Sequence, residues 1–213
     1  MSNLRRPFVP SPRLVGLALA ATLPAGPVLA APETGLIPSV ATIDDGAALS
    51  INPAALGTDP GVILHLASGG FRSLAGQSYD LAVGLGGVGL GFRHEPTATG
   101  DRQELEFGTM IPLAPGFRSG LGYRFGRGNG RSGADYDFGL LMRPTDWLSL
   151  GAALRNAGGN VPDDPRSYQV GLGWRPLGDR LTLSLDTAWT DGQSFATSIP
   201  RAGLELEIGR AHV

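Results

Sequence analysis

From residue 61 onward, apolar residues alternate with glycine, small or polar residues through almost the whole chain. In YDLAVGL, residues 79, 81, 83 and 85 would lie on one face of a strand and the residues between them on the other. The same period of two runs through VGLGFRH, LSLGAALR, YQVGLGWR and LTLSLDTAW. This period is typical of strands whose two faces differ. We count about ten such segments between residues 62 and 206, which predicts an all-β protein.

Three short connections carry a proline at the same place. Pro112, Pro144 and Pro176 follow one another at intervals of 32 residues, in MIPLAPGFRSGL, MRPTDWLSL and WRPLGDRLTL, which indicates a repeated hairpin unit. Longer polar stretches alternate with them: HEPTATGDRQE, GRGNGRSGAD, RNAGGNVPDDPRS and TDGQSFATSIPR. Short connections that alternate with long ones predict an antiparallel up-and-down sheet.

The residues opposite the apolar face are mainly Gly, Ala and Ser, in a chain with 33 Gly and no lysine. A soluble β-protein usually carries lysine and glutamate on its solvent face. The pattern therefore predicts a transmembrane β-barrel of the Gram-negative outer membrane, with lipid around it and a polar interior. The alternative is a soluble secreted β-sandwich or barrel.

The barrel interpretation places aromatic residues at the two lipid–water interfaces. At the outer ends of the strands these are Tyr79, Tyr136, Tyr168 and Trp189, and at the inner ends Trp147 and Trp174. Two such girdles are typical of outer-membrane barrels.

Charged residues of both signs fall on the predicted interior face. We interpret them mainly as ion pairs that neutralise and brace the interior, and the alternative is that they line a permeation path. With symmetric hairpins, Glu104 would lie near both Arg93 and Arg124. The full set is Asp80, Arg93, Glu104, Glu106, Arg118, Arg124, Asp137, Arg155, Arg175, Asp186 and Glu205.

Residues 1–30 have the features of a cleaved secretory signal peptide. Arg5, Arg6 and Arg13 give a positive start, LVGLALAATL is a short apolar core, and Ala30 is a small residue at the cleavage site. The alternative, a membrane anchor, needs a longer and uninterrupted apolar run. The formal net charge of −2 argues against nucleic acid as a partner.

The sequence predicts no catalytic residue, metal site or cofactor. A chain without cysteine and lysine has no thiol nucleophile, no Ser–Lys dyad and no Schiff-base lysine. His65 and His94 are isolated and lack the spacing of metal ligands. We therefore predict that the protein is not an enzyme.

Residues 31–60 precede the first strand and contain the run INPAAL. Asn52 is a predicted N-cap with Pro53 as the first helical residue, and Asp44 with Asp45 would start a turn or cap another helix. The segment resembles the N-terminal signature of the FadL and PorV-like outer-membrane barrel families. The matching residues are Asp44, Asp45, Asn52, Pro53, Ala54 and Leu56, with Ala55 where the families have glycine.

This resemblance implies an outer-membrane barrel whose N-terminal segment acts as a plug. It also implies passage of small or hydrophobic solutes, or tethering of a secretion-system component. A narrower resemblance, through the NPA run and the RP-containing hairpins, is to the barrel-like N-terminal region of bacterial signal peptide peptidases. Those proteases use a Ser–Lys pair, so a chain without lysine would be their non-catalytic part.

The strand pattern of residues 61–206 stops before a final run of different character. EIGRAHV, residues 207–213, matches one reading frame of a common sequencing adapter. We therefore expect this tail to be non-native and the barrel to be incomplete, since bacterial barrels usually end on a strand that closes against the first.

Overall fold

The computed structural model describes residues 39–44, 46–58, 61–69, 78–97, 100–162 and 164–206. Three of the sequence predictions lie wholly outside these residues: the predicted signal peptide (1–30), the partner Asp45 of the acidic pair, and the predicted non-native tail (207–213).

Short helices are few among the described residues. They are an α-helix (α1, Ala48–Ile51) and two 3₁₀ helices (Pro53–Ala55 and Phe195–Thr197). None of these is a long apolar helix of the kind that crosses a membrane. The remaining elements are strands: β1 (Val62–Gly69), β2 (Ser78–Leu85), β3 (Val88–Thr97), β4 (Gly100–Ala114), β5 (Phe117–Gly128), β6 (Arg131–Thr145), β7 (Leu148–Arg155), β8 (Ser167–Trp174), β9 (Pro176–Asp179), β10 (Leu181–Thr190) and β11 (Ile199–Leu206). The predicted all-β class is confirmed.

Ten of the strands form one antiparallel sheet in which neighbours in the chain are neighbours in the sheet. The short β9 lies in the connection between β8 and β10, which pair directly with each other. The predicted up-and-down order is therefore confirmed. Among the described residues, β1 and β11 are each paired on one side, so the sheet has two edges and is not closed.

The three regularly spaced prolines lie at one end of the sheet, which we call the turn end. Pro112 and Pro144 stand just before the tight turns that follow β4 and β6, and the strand register shifts beside each of them. Because proline has no N–H for the neighbouring strand, it interrupts the hydrogen-bond ladder and favours a bulge. Pro176 begins β9 in the next connection at this end. The interval of 32 residues thus corresponds to a repeated hairpin.

The opposite end of the sheet, which we call the loop end, differs from the prediction of four long connections. Only residues 98–99 separate β3 from β4, and only Asn129 and Gly130 separate β5 from β6. Asn129 and Gly130 have φ angles of 51° and 72°, the left-handed pair that matches the twist of a two-residue hairpin. The predictions of long loops in HEPTATGDRQE and GRGNGRSGAD are therefore wrong. Among the described connections at this end, 156–166 and 191–198 are long.

The two faces of the sheet differ in chemistry. The first, which we call the apolar face, carries large apolar side chains that remain exposed on strand after strand: Leu66 is 74% exposed, Leu90 56% and Leu140 46%. The second, which we call the covered face, carries the alternating glycines and most of the charges, and much of it is buried. A soluble sheet with one solvated face buries its apolar side and exposes its polar side. Here the distribution is reversed.

Residues 39–44 and 46–58, which we call the N-terminal segment, lie on the covered face. The N–H of Val40 donates to Asp186 of β10 at 2.9 Å, and a Cβ atom on Gly46 would stand 2.3 Å from Cβ of His65 in β1. In a flat sheet, β1 and β10 would be about 38 Å apart at about 4.8 Å per strand. The chain from residue 40 to residue 46 spans at most about 21 Å. The sheet therefore curves around the segment.

Candidate functional site

Glycines of the covered face form the surface on which the N-terminal segment lies. A Cβ atom on Gly120 would stand 2.1 Å from the backbone nitrogen of Ala54, and one on Gly151 would stand 2.3 Å from the carbonyl oxygen of Val40. No larger side chain fits at either glycine unless the segment moves, since glycine is used where backbone approaches this closely. The glycine-rich face that the sequence places inside a barrel is therefore filled by peptide over much of its area.

Asn52 holds the middle of the N-terminal segment. Its side chain is fully buried, and its Nδ2 donates to the carbonyl oxygens of Val40 at 2.8 Å and Leu140 at 3.1 Å. Its Oδ1 accepts from the N–H of Ala54 at 3.1 Å, which is the predicted N-cap. The cap is local. The bond to Val40 joins two distant parts of the segment, and the bond to Leu140 attaches the segment to β6.

We expect Asn52→Ala to lower the free energy of unfolding by about 1–3 kcal/mol, because buried carbonyl oxygens of Val40 and Leu140 would lose their donor. Unfolding in urea, followed in detergent, measures the change. Gln103→Ala, which removes an exposed amide from β4, is the control and should leave the midpoint in place. Equal midpoints for the two variants would contradict this role of Asn52.

Asp44 connects the segment to the turn end of the sheet. Its Oδ2 lies 3.7 Å from an Nη2 atom of Arg143 and 3.7 Å from that of Arg175. Of the two predicted roles, a turn start or a helix cap, the cap does not hold for Asp44, because Ala47 occupies the N-cap position of α1. Two guanidinium groups attract a carboxylate more strongly than a neutral backbone N–H does, which accounts for the difference.

The other residues of the family-like motif are packing groups. Pro53, Ala54 and Leu56 are buried, and Leu56 packs against glycines of β3 and β4. Ala55 stands in the 3₁₀ helix and does not have a left-handed backbone conformation, so the position does not require the glycine of the families. In this structure the motif attaches the segment to the sheet.

Arg124 is the centre of a buried ion cluster beyond the segment, toward the loop end. The side chain is fully buried and forms short contacts with Asp137 and Asp164. Glu104 lies 3.8 Å and Glu106 4.0 Å from its nitrogen atoms. A buried guanidinium needs carboxylate partners for its donors, and four carboxylates surround this one.

The predicted contact of Glu104 with two arginines is present. Its Oε2 lies 3.9 Å from Nη1 of Arg93, and its Oε1 lies 3.8 Å from Nη1 of Arg124. The nearest partner is nevertheless Arg102, two residues earlier on the same strand. Arg93 in turn donates to Asp80 at 2.8 Å. The cluster therefore extends across five strands, from β2 to β6.

The remaining predicted charges lie outside the centre of this cluster. Asp186 accepts hydrogen bonds from the start of the N-terminal segment, and Arg118 donates to the hydroxyl of Thr58 at 2.8 Å, near the end of the segment. Arg155 is half-buried at the end of β7, and Glu205 is exposed on the edge strand β11. Most of the predicted charges thus contact either the N-terminal segment or the ion cluster.

The connection between β7 and β8, which we call loop 156–166, folds onto the covered face at the loop end; its residue 163 is not described. Val161 is 3% exposed, and a Cβ atom on Gly126 would stand 2.5 Å from its side chain. Asp135 accepts hydrogen bonds from two N–H groups of the loop, both at 2.8 Å. The loop is therefore held against the sheet by specific bonds.

Asp164 connects this loop to the ion cluster. Its carboxylate forms a short contact with Arg124 and lies 3.2 Å from Nη2 of Arg102. Burial by itself would raise the pKa of the Asp164 carboxyl, but the positive charges of Arg155, Arg124 and Arg102 outweigh it and hold that pKa below its ordinary value. The carboxylate form is the one that holds the loop.

Sequence reasoning missed Arg102, Asp135 and Asp164 as members of this site. For the first two a signal exists, because Arg102 shares its face with Glu104, and Asp135 shares its face with Asp137. Asp164 stands in a polar stretch without any period, and nothing in the sequence distinguishes it from an ordinary loop residue.

The aromatic residues predicted to form girdles lie near the two ends of the sheet. Trp147 and Trp174 are at the turn end, where they are 51% and 46% exposed. The ring pairs toward the loop end include Tyr79 with His94 at 5.7 Å, Tyr123 with Tyr136 at 5.5 Å, and Tyr168 with Trp189 at 5.5 Å between centroids.

The covered face therefore carries three layers: the N-terminal segment toward the turn end, the ion cluster, and loop 156–166 at the loop end. Comparison of the chain with protein-family models, with curated proteins and with solved structures found no match.

Proposed function

We propose that this chain forms a FadL or PorV-like protein of the outer membrane, in which the curved sheet belongs to a transmembrane barrel and the N-terminal segment is its plug. The function best supported is controlled passage of small or hydrophobic solutes across that membrane. The observation that carries the proposal is the reversed distribution of side chains, with apolar residues exposed and charged residues buried.

The exposed apolar face supports lipid as the surroundings of the sheet. Leu66, Leu90 and Leu140 stand on three different strands and are each about half exposed or more, and a soluble monomer rarely exposes so continuous an apolar surface. Hydrocarbon would cover it at no cost. Backbone groups at an open sheet edge are expensive in hydrocarbon, so the proposal includes closure of the edges at β1 and β11.

The contents of the covered face support controlled passage rather than an open pore. Ala48, Ala54 and Arg124 have no exposed surface, so peptide and ion pairs occupy the space that a solute would cross. Passage then requires that part of this filling moves.

Membrane fractionation with gel electrophoresis tests the proposal. We expect the protein in the outer-membrane fraction of a Gram-negative host, with different migration before and after boiling, because a closed barrel resists SDS until it is heated. Recovery from the soluble periplasmic fraction, with one mobility before and after boiling, would instead favour the soluble secreted β-protein.

A substitution on the apolar face distinguishes lipid from water. Leu140 lies on this face between Tyr136 and Trp147, and we expect Leu140→Arg to destabilise the membrane-inserted form by about 2–4 kcal/mol, the cost of arginine near the bilayer midplane. Urea titration of the unboiled, fast-migrating band measures it. Ser132→Arg, on the same face of β6 at its loop end, is the control and should be tolerated. If the face meets water, both variants will behave alike.

A further inference from the structure

Loop 156–166 is held differently from the N-terminal segment. The segment is packed mainly by apolar side chains and glycines. The loop also packs on a glycine, through Val161 on Gly126, but several of its bonds to the sheet involve carboxylates. Asp135 and Asp137 accept N–H groups of the loop, at 2.8 Å from Gly158 and 2.7 Å from Asn156. Among the described loop residues, Asp164 contributes a carboxylate to the ion cluster. Bonds to ionised carboxylates are stronger than neutral hydrogen bonds, so the loss of one carboxylate is expected to weaken the attachment of the loop measurably.

The ion cluster does not need Asp164 for its own charge balance. Arg124 keeps Asp137, Glu104 and Glu106 as partners without it, and Arg102 keeps Glu104. Removal of the Asp164 carboxylate therefore leaves neither guanidinium without a partner. Its contacts with these two arginines hold the loop to the sheet and are not required to give either arginine a carboxylate partner.

The attachment point can be reached from the loop end. A cleft of about 480 Å³ runs between the loop and the tip of the β5–β6 hairpin, and its lining includes Arg131, Asn160 and Asp164. The Asp164 side chain keeps 19% of its surface exposed, whereas the Arg124 side chain beneath it keeps none. Water and ions therefore reach one partner of the ion pair and not the other.

We propose that loop 156–166 is a gate at the loop end, which is held shut by the contact of Asp164 with Arg124 and Arg102 and lies in series with the N-terminal segment. We call the contact of Asp164 with Arg124 and Arg102 the latch. The proposal that the gate controls passage rests on the proposed function, whereas the proposal that the latch holds the loop closed does not. When this contact breaks, the loop moves away from the sheet. Gly126 and the buried arginines then become accessible from the cleft.

The latch is tested by measuring how accessible the buried side of the loop, which faces the sheet, is to a thiol reagent. The chain has no cysteine, so Val161→Cys introduces a single thiol under the closed loop. We expect a polyethylene-glycol maleimide to label Val161→Cys/Asp164→Asn about tenfold faster than Val161→Cys in the folded, detergent-solubilised protein, since labelling follows the fraction of open loop. Asp101→Asn, which removes an exposed carboxylate from the same end of the sheet, is the matched control and should not change the rate.

A labelling rate that Asp164→Asn leaves unchanged overturns the latch, provided the unboiled gel band shows folded protein. Asp164→Glu should restore slow labelling, and its failure to do so would also count against a charge latch. The exposed position Asn160→Cys gives the labelling rate of a thiol that the loop does not cover.

Conductance in planar bilayers tests the gate itself. If the loop and the N-terminal segment are two barriers in series, removing one leaves the other. Asp164→Asn opens the loop and Gly120→Ala displaces the segment, so the double variant should raise conductance by more than the sum of the two single variants. An additive result, with fast labelling, overturns the gate and leaves the latch. Failure to insert into the bilayer would instead count against the proposed membrane function, and the labelling result would stand.

Discussion

Replacement of Arg124 by methionine is expected to lower the free energy of unfolding by about 3–5 kcal/mol, the usual cost of removing one partner from a buried ion pair. Arg124 has no exposed surface and its guanidinium contacts four carboxylates, so the variant leaves Asp137 and Glu106 without their nearest cation. Urea unfolding in detergent measures the loss. The unboiled gel band should also weaken.

Arg127→Met is the matched control for this experiment. Arg127 lies on the same strand, three residues further, but its side chain is exposed on the other face. We expect a change within about 0.5 kcal/mol, as for most surface substitutions. If Arg124→Met unfolds at the same urea concentration as Arg127→Met, the ion cluster does not brace the sheet.

Gly120→Ala should displace the N-terminal segment from the covered face. The new Cβ atom would stand 2.1 Å from the Ala54 nitrogen and 2.2 Å from the Pro53 carbonyl carbon, both backbone atoms that cannot rotate away. Overpacking of this kind typically costs about 1–3 kcal/mol. Hydrogen exchange measured by mass spectrometry should show faster exchange in peptides from residues 46–58.

Gly84→Ala is the control for the glycine experiment, because the nearest atom to its new Cβ is 3.8 Å away. It changes the same residue type in the same sheet without contact with the segment. Exchange in residues 46–58 should match that of the unaltered protein. Equal exchange in the Gly120→Ala and Gly84→Ala proteins would mean that the segment does not depend on a glycine surface.

The strands could be predicted because their signal is local. The alternation in residues 79–85 and 148–155 assigns each side chain to a face without knowledge of any other strand, and the prolines mark the turn end. The same rule placed Glu104 and Arg93 on one face, where they do meet. Strand order followed from the short turns, since they leave antiparallel neighbours as the simplest connection.

The loops and the closest partners could not be predicted, for a different reason. The short turn at Asn129 and Gly130 lies within a long polar stretch. Because polar residues near a strand end are compatible with both strand and loop, the ends of the two strands could not be located in that stretch. The contacts of Asp164 depend on the path of loop 156–166 through space, which no periodicity records. The period of two places Arg102 on the face of Glu104, but it does not show that Arg102 is the nearest partner of Glu104.

The sequence by itself determined that the sheet has one apolar face and one face of glycine and charge. That follows from a period of two, which any strand obeys. Only the tertiary structure decided what the glycine face is for. A row of glycines such as Gly120, Gly139 and Gly151 is compatible with an empty interior and equally with a surface that binds a peptide. The short distances from these glycines to residues such as Asn52 and Val40 distinguish the two. Those residues are far away in the chain and meet the glycines only because the sheet curves around them.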